Sequence, residues 1–123
     1  MRATIWIQQE DRDGDDLPPD LSILCRHMNA LDRACKKAGV KRWIEFQDNS
    51  EMAAEFGEDI PPLLSNPAEL ILTIETSQKA MDSGILNLDK ATLDRLEEEL
   101  SCAREVTEAC YGSGKRVRVT LVP

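Results

Sequence analysis

Aromatic residues make up only 4% of this 123-residue chain, and it has a single histidine. The first shortage means that Leu, Ile, Val, Ala and Met must fill the core. The second removes the usual partner for nucleophilic catalysis. His27 would need Cys25 or a serine brought to it by the fold, plus a group to orient its ring. On a helix, positions 25 and 27 point about 200° apart, so Cys25 and His27 do not converge on one ion or one substrate.

Other absences narrow the field further. No apolar run approaches the roughly 20 residues that span a bilayer. The N-terminal stretch M-R-A-T-I-W-I-Q-Q-E is too short and too soon polar for a secretory leader, so a cytoplasmic location is expected. The four cysteines (Cys25, Cys35, Cys102, Cys110) form no C-x-x-C pair and fall within predicted helices. Reduced, packed thiols are expected, slow to react until the protein unfolds, with neither a disulfide framework nor a zinc site. Gly112-Ser113-Gly114-Lys115 lacks the phosphate-loop spacing and follows a helix instead of preceding one. No metal or organic cofactor is expected.

What the chain has in excess is negative charge. There are 23 acidic against 15 basic residues, a net charge of -8. That balance argues against nucleic acid and favours a cationic partner. The densest acidic run, Glu10 to Asp20, is a loop by its Gly14, Pro18 and Pro19. It approaches a calcium-binding loop, with Asp11, Asp13 and Asp15 at the first, third and fifth positions. However, Asp16 stands where the glycine belongs and Ser22 where the bidentate Glu belongs.

The hydrophobic pattern predicts one α+β domain over residues 1–123. Ala3 to Gln9 and Arg116 to Leu121 alternate with the period of a strand, and the two ends of the chain are expected to pair. Leu21, Leu24, Met28, Leu31, Cys35 and Ala38 form a helical stripe, with Asp20 as its cap and Gly39 as its stop. Lys41 to Gln47 alternates again, so strand, helix and strand suggest a βαβ unit with parallel strands. Ser50 caps a short helix, 51–56. Asn66-Pro67-Ala68-Glu69 opens a longer one, in which Leu70, Ile71, Ile74, Gln78 and Met81 form the stripe. Asp89 caps the last helix, which carries Leu93, Leu96, Leu100, Ala103, Thr107 and Cys110. Its Glu97-Glu98-Glu99 run is expected to be a solvated surface. The expected architecture is a three-stranded sheet with long amphipathic helices on one face. Residues 70–76 also alternate well enough for a strand, which would instead give a ferredoxin-like βαββαβ order.

Two groups of residues carry the functional expectation. Parallel strands would bring the acidic stretches after each of them, Asp11, Asp13, Asp15 and Asp16 with Asp48, Glu51, Glu55, Glu58 and Asp59, to one rim that attracts a basic protein surface. Trp6 and Trp43 would share the second face of the sheet, either under the helix from Asn66 or as the interface of a homodimer. The chain therefore reads as a small acidic bacterial-type interaction module (accessory, regulatory or immunity-like) rather than an enzyme. The alternative is a small enzyme or divalent-metal domain using the carboxylates of loops 10–16 and 48–59.

Overall fold

A computed structural model describes residues 3–10 and 19–122. Its sheet joins the two ends of the chain. Strand β1 (Thr4–Gln9) pairs antiparallel with β2 (Val117–Val122), in a register that sets Ile7 opposite Val119 and Trp6 opposite Thr120. Ile5, Ile7, Val117 and Val119 are buried on one face, as the alternation predicts.

The third expected strand is absent. Trp43–Phe46 forms a 3-10 helix, in which residues i and i+3 eclipse. Trp43 and Phe46 are therefore buried on one side, while Ile44 and Glu45 are exposed. Two carboxylates impose this turn. Asp32 accepts hydrogen bonds from the Trp43 and Ile44 N–H groups (2.6 and 3.4 Å), and Glu45 accepts from the Arg42 N–H (2.7 Å). After the turn, Gln47 makes a single parallel bridge to Val119, and Ser65 a single antiparallel bridge to Val117. These two bridges occupy the outer edge of β2, so the sheet has two strands and the described residues form no βαβ unit.

The first helical stripe is buried as expected from Leu21 to Cys35, but it is divided between two helices, α1 (Ser22–Arg26) and α2 (Met28–Ala38), with the break at His27. The halves have different partners: α1 lies against β1 and α5 (Lys90–Gly112), and α2 lies against α4 (Pro67–Asp82). Asp20 does not cap the first helix. Glu99 of α5 does, accepting from the Ile23 and Leu24 N–H groups at 3.2 and 2.8 Å. The glutamate run is thus not wholly a solvated surface. Gly39, at φ 77°, closes α2 in the left-handed conformation, as predicted.

The long helices match their start signals. Asn66 Oδ1 accepts from the Ala68 N–H with Pro67 at the first position of α4, and the Asp89 side chain accepts from the Thr92 N–H at the start of α5. The helical state of 67–82 excludes the ferredoxin-like order. The buried face of α4 is more polar than its aliphatic stripe suggests, because Thr73 and Ser77 turn inward with Leu70 and Ile74. Ser77 Oγ accepts from the Trp43 indole N–H at 2.9 Å and donates to the Thr73 carbonyl, so both hydroxyl functions are used.

No disulfide links the cysteines: Cys35 and Cys110 are buried, Cys25 is half-buried and Cys102 is exposed on α5. Burial raises the pKa of the Cys25 and Cys35 thiols, and the charge on Glu99 adds to it at Cys25. The uniform protection expected of the four thiols is therefore corrected at Cys102. In the native protein Cys102 should react with a thiol reagent within minutes, and the others only in denaturant. Mass spectrometry of the labelled peptides checks this; rapid native labelling of Cys35 would contradict the packing of α2 on α4.

Candidate functional site

The most prominent unpacked feature is an arm that leaves the edge of β2 at Asp48 and returns at Ser65. Its neck is clipped by one carboxylate. The Asp48 N–H donates to the Val119 carbonyl at 2.7 Å, and its Oδ1 accepts from the N–H groups of Ser50 (3.0 Å) and Leu63 (3.2 Å). Its Oδ2 pairs with Arg118 Nε at 3.4 Å. One side chain therefore joins the outgoing strand of the arm, the returning one and β2. Burial alone would raise the pKa of this carboxyl. The Ser50 and Leu63 hydrogen bonds and the Arg118 charge outweigh burial, and the pKa falls below its ordinary value. Gln47 Oε1, Ser65 Oγ and Thr120 Oγ1 are buried nearby without hydrogen-bond partners among the described residues. Asp48 and the backbone bridges are left to hold this edge.

Beyond the neck, α3 (Ser50–Glu55) forms the outgoing half of the arm. Gly57, at φ 80°, reverses the chain after it, with the Glu58 N–H donating to the Ala53 carbonyl. Pro61 and Pro62 stiffen the return. Ala53 is buried, but Met52, Phe56, Ile60 and Leu63 all face water, Phe56 at 78% exposure. Met52 and Phe56 are four residues apart and so lie on one side of this helical turn. Glu55, Glu58 and Asp59 are exposed among them, and the sequence has no Lys, Arg or His from Trp43 to Gln78.

The expected site residues are thereby redistributed. Asp11, Asp13, Asp15 and Asp16 lie outside the described residues. Glu51 lies within α3. Glu55, Glu58 and Asp59 are on the arm, whereas Asp48 is a buried clip and not a surface charge. The parallel-strand argument for a common rim does not hold. Gln47 runs parallel to β2 and so antiparallel to β1, so the chain reaches Asp48 in the direction opposite to that in which β1 reaches Gln9. Glu10 follows the end of β1 and is tied to Arg116, its N–H donating to the Arg116 carbonyl at 3.1 Å and its carboxylate accepting from the Arg116 N–H at 2.9 Å. Trp43 is fully buried beneath α4 and cannot form an interface, while Trp6 is half-buried on β1 opposite Thr120. The two tryptophans therefore do not share a sheet face.

The apolar members of the arm, Met52, Phe56, Ile60 and Leu63, are what sequence reasoning missed. Their signal was present: a Met–Phe pair at helical spacing, a following Gly and Pro-Pro, and no basic residue around them. Two further carboxylates have raised pKa values because they are buried, Asp32 beneath the 3-10 helix and Glu99 at the start of α1. Backbone hydrogen bonds offset burial only in part at both. Their positions are structural. Among the described residues, no three Cys, His, Asp or Glu side chains stand together as a metal site, and no described helix is long and apolar enough to cross a membrane. Comparison with family models, curated proteins and solved structures finds no match to the chain.

Proposed function

We propose that the protein is an interaction module of accessory, regulatory or immunity type, and that the arm 49–63 docks on a basic, partly apolar protein surface. The observation that carries this reading is the exposure of four large apolar side chains on a segment clipped at its neck and devoid of cations. Carboxylates at Glu55, Glu58 and Asp59 would accelerate encounter with a positive surface, making the on-rate sensitive to salt. Phe56 and Met52 would then supply the desolvated contact that slows dissociation. Because Asp48 holds both ends of the arm, little ordering entropy is lost on binding.

A photo-crosslinking amino acid at position 56 tests the reading in cells. It should capture a protein of net positive charge, and one at position 102, on exposed α5, should not. Adding Glu55→Lys and Glu58→Lys should lower the yield of the position-56 crosslink about tenfold. Equal capture from both positions, or capture of this chain alone, would overturn the proposal.

A further inference from the structure

A second unpacked surface has the opposite character. Between α2 and α4 runs an open groove of about 490 Å³, whose walls include Ala38, Val40, Leu72 and Ile85. Leu72 is 53% and Ile85 65% exposed. A small molecule would keep much of its own surface in water in so open a groove, whereas ligand pockets cover most of their occupant. A chain segment that brings apolar side chains of its own suits it better. The charge at the groove is the reverse of the protein's. Lys37 and Lys79 line it, exposed and without an ion-pair partner among the described residues. Its one carboxylate, Glu75, is already held by Arg104 at 3.4 Å. Each lysine sits in the last turn of its helix and offsets the negative helix end there, so an approaching carboxylate meets two ammonium groups at the groove wall.

An apolar, anionic segment complements such a groove, and the chain's own arm is one. We infer that the arm of one copy docks in the α2–α4 groove of a second copy. Met52 and Phe56 then face Leu72 and Ile85, and Glu55 and Glu58 approach Lys37 and Lys79. Helix-in-groove recognition uses apolar anchors at this four-residue spacing. Because every copy carries both surfaces, two chains related by a two-fold axis make the contact twice, and the assembly closes as a dimer. The inference rests on the arm being a docking element, as proposed above. It adds that self-association covers the arm, so that a basic partner must compete with the second copy.

Sedimentation velocity on the purified chain, over a concentration series to about 1 mM in low salt, should show a monomer–dimer equilibrium that weakens as salt is added. Lys37→Glu with Lys79→Glu should weaken dimerisation at least about tenfold, and so should Glu55→Lys with Glu58→Lys. Mixing the two double variants should restore a dimer, because each then offers the complementary charge to the other. Circular dichroism confirms that both are folded, and Ile85→Ser, at an exposed position, provides a second groove variant that leaves the charges unchanged. A monomer at every concentration, a dimer indifferent to these substitutions, or a mixture that stays monomeric would each overturn the inference. The groove variant keeps its arm, so position 56 should still crosslink a basic partner. A wild-type chain that stays monomeric while position 56 still crosslinks a basic partner would count against this inference alone, and a dimer without any such crosslink against the proposed function alone.

Discussion

Replacing Trp43 with alanine is expected to cost about 4 kcal/mol of folding stability, within the range for removing a large aromatic from a core. The side chain is fully buried, it is the largest in the core, and its indole N–H donates to Ser77 Oγ. Against the roughly 5–15 kcal/mol by which domains of this kind are stable, such a loss is a large fraction of the total. It should lower the melting temperature by roughly 10–20 °C. Trp43→Phe separates packing from hydrogen bonding. Phenylalanine fills most of the volume but leaves Ser77 Oγ without its indole donor, a loss of about 1–2 kcal/mol. Thermal and urea melts of both variants check the assignment. A loss below about 1 kcal/mol for the alanine variant would mean that the 3-10 helix is not part of the core.

Asp48→Ala is expected to be the most disruptive change at the site. It removes the acceptor for Ser50 and Leu63 and leaves Arg118 beside an apolar gap. Breaking a buried pair costs about 3–5 kcal/mol, and the lower end applies because Arg118 keeps partial access to water. The arm should then be cut by protease far faster than in the wild type, with cleavage sites between residues 49 and 63. The pH dependence has a defined sign. The folded pKa of Asp48 lies below its ordinary value of 3.8, so its contribution is complete above that value and is lost as pH falls through the lower folded one. Asp32 and Glu99 act in the opposite sense. Their pKa values are raised by burial, so the folded state takes up protons there, and stability rises as pH falls from neutral through those raised values. Stability should therefore peak on the acid side of neutral and then decline. Asp48→Asn should weaken the protein at pH 7 but lose most of that difference once the wild-type carboxyl is itself protonated. Urea titrations at several pH values check this, and a difference that stays constant down to the lowest pH would show that the Asp48 charge contributes nothing.

How far each feature was legible in the sequence depends on how far away its cause lies. The strand form of the chain ends, the caps of α4 and α5 and the Gly39 stop come from neighbouring residues. Alternation at Ala3 to Gln9, the Asn66-Pro67 start and the Asp89 cap are local patterns with local consequences. The acidity of the arm was equally plain, since Glu55, Glu58 and Asp59 need no fold to be seen. Three things were decided only by tertiary contacts. Residues 43–46 alternate like a strand, but Asp32 takes their N–H groups and Ser77 takes the indole, and the turn that satisfies both wins over β propensity. The stripe from Leu21 to Cys35 reads as one helix, yet Glu99, 76 residues after Ile23, caps its first piece and α4 packs against its second. Asp48 looked like one more surface carboxylate until Leu63 and Arg118 closed around it. Alternation and capping act over a few residues and are written in composition and spacing. The destination of a buried carboxylate depends on which unpaired N–H groups the fold brings to it, and that is settled only when distant segments meet.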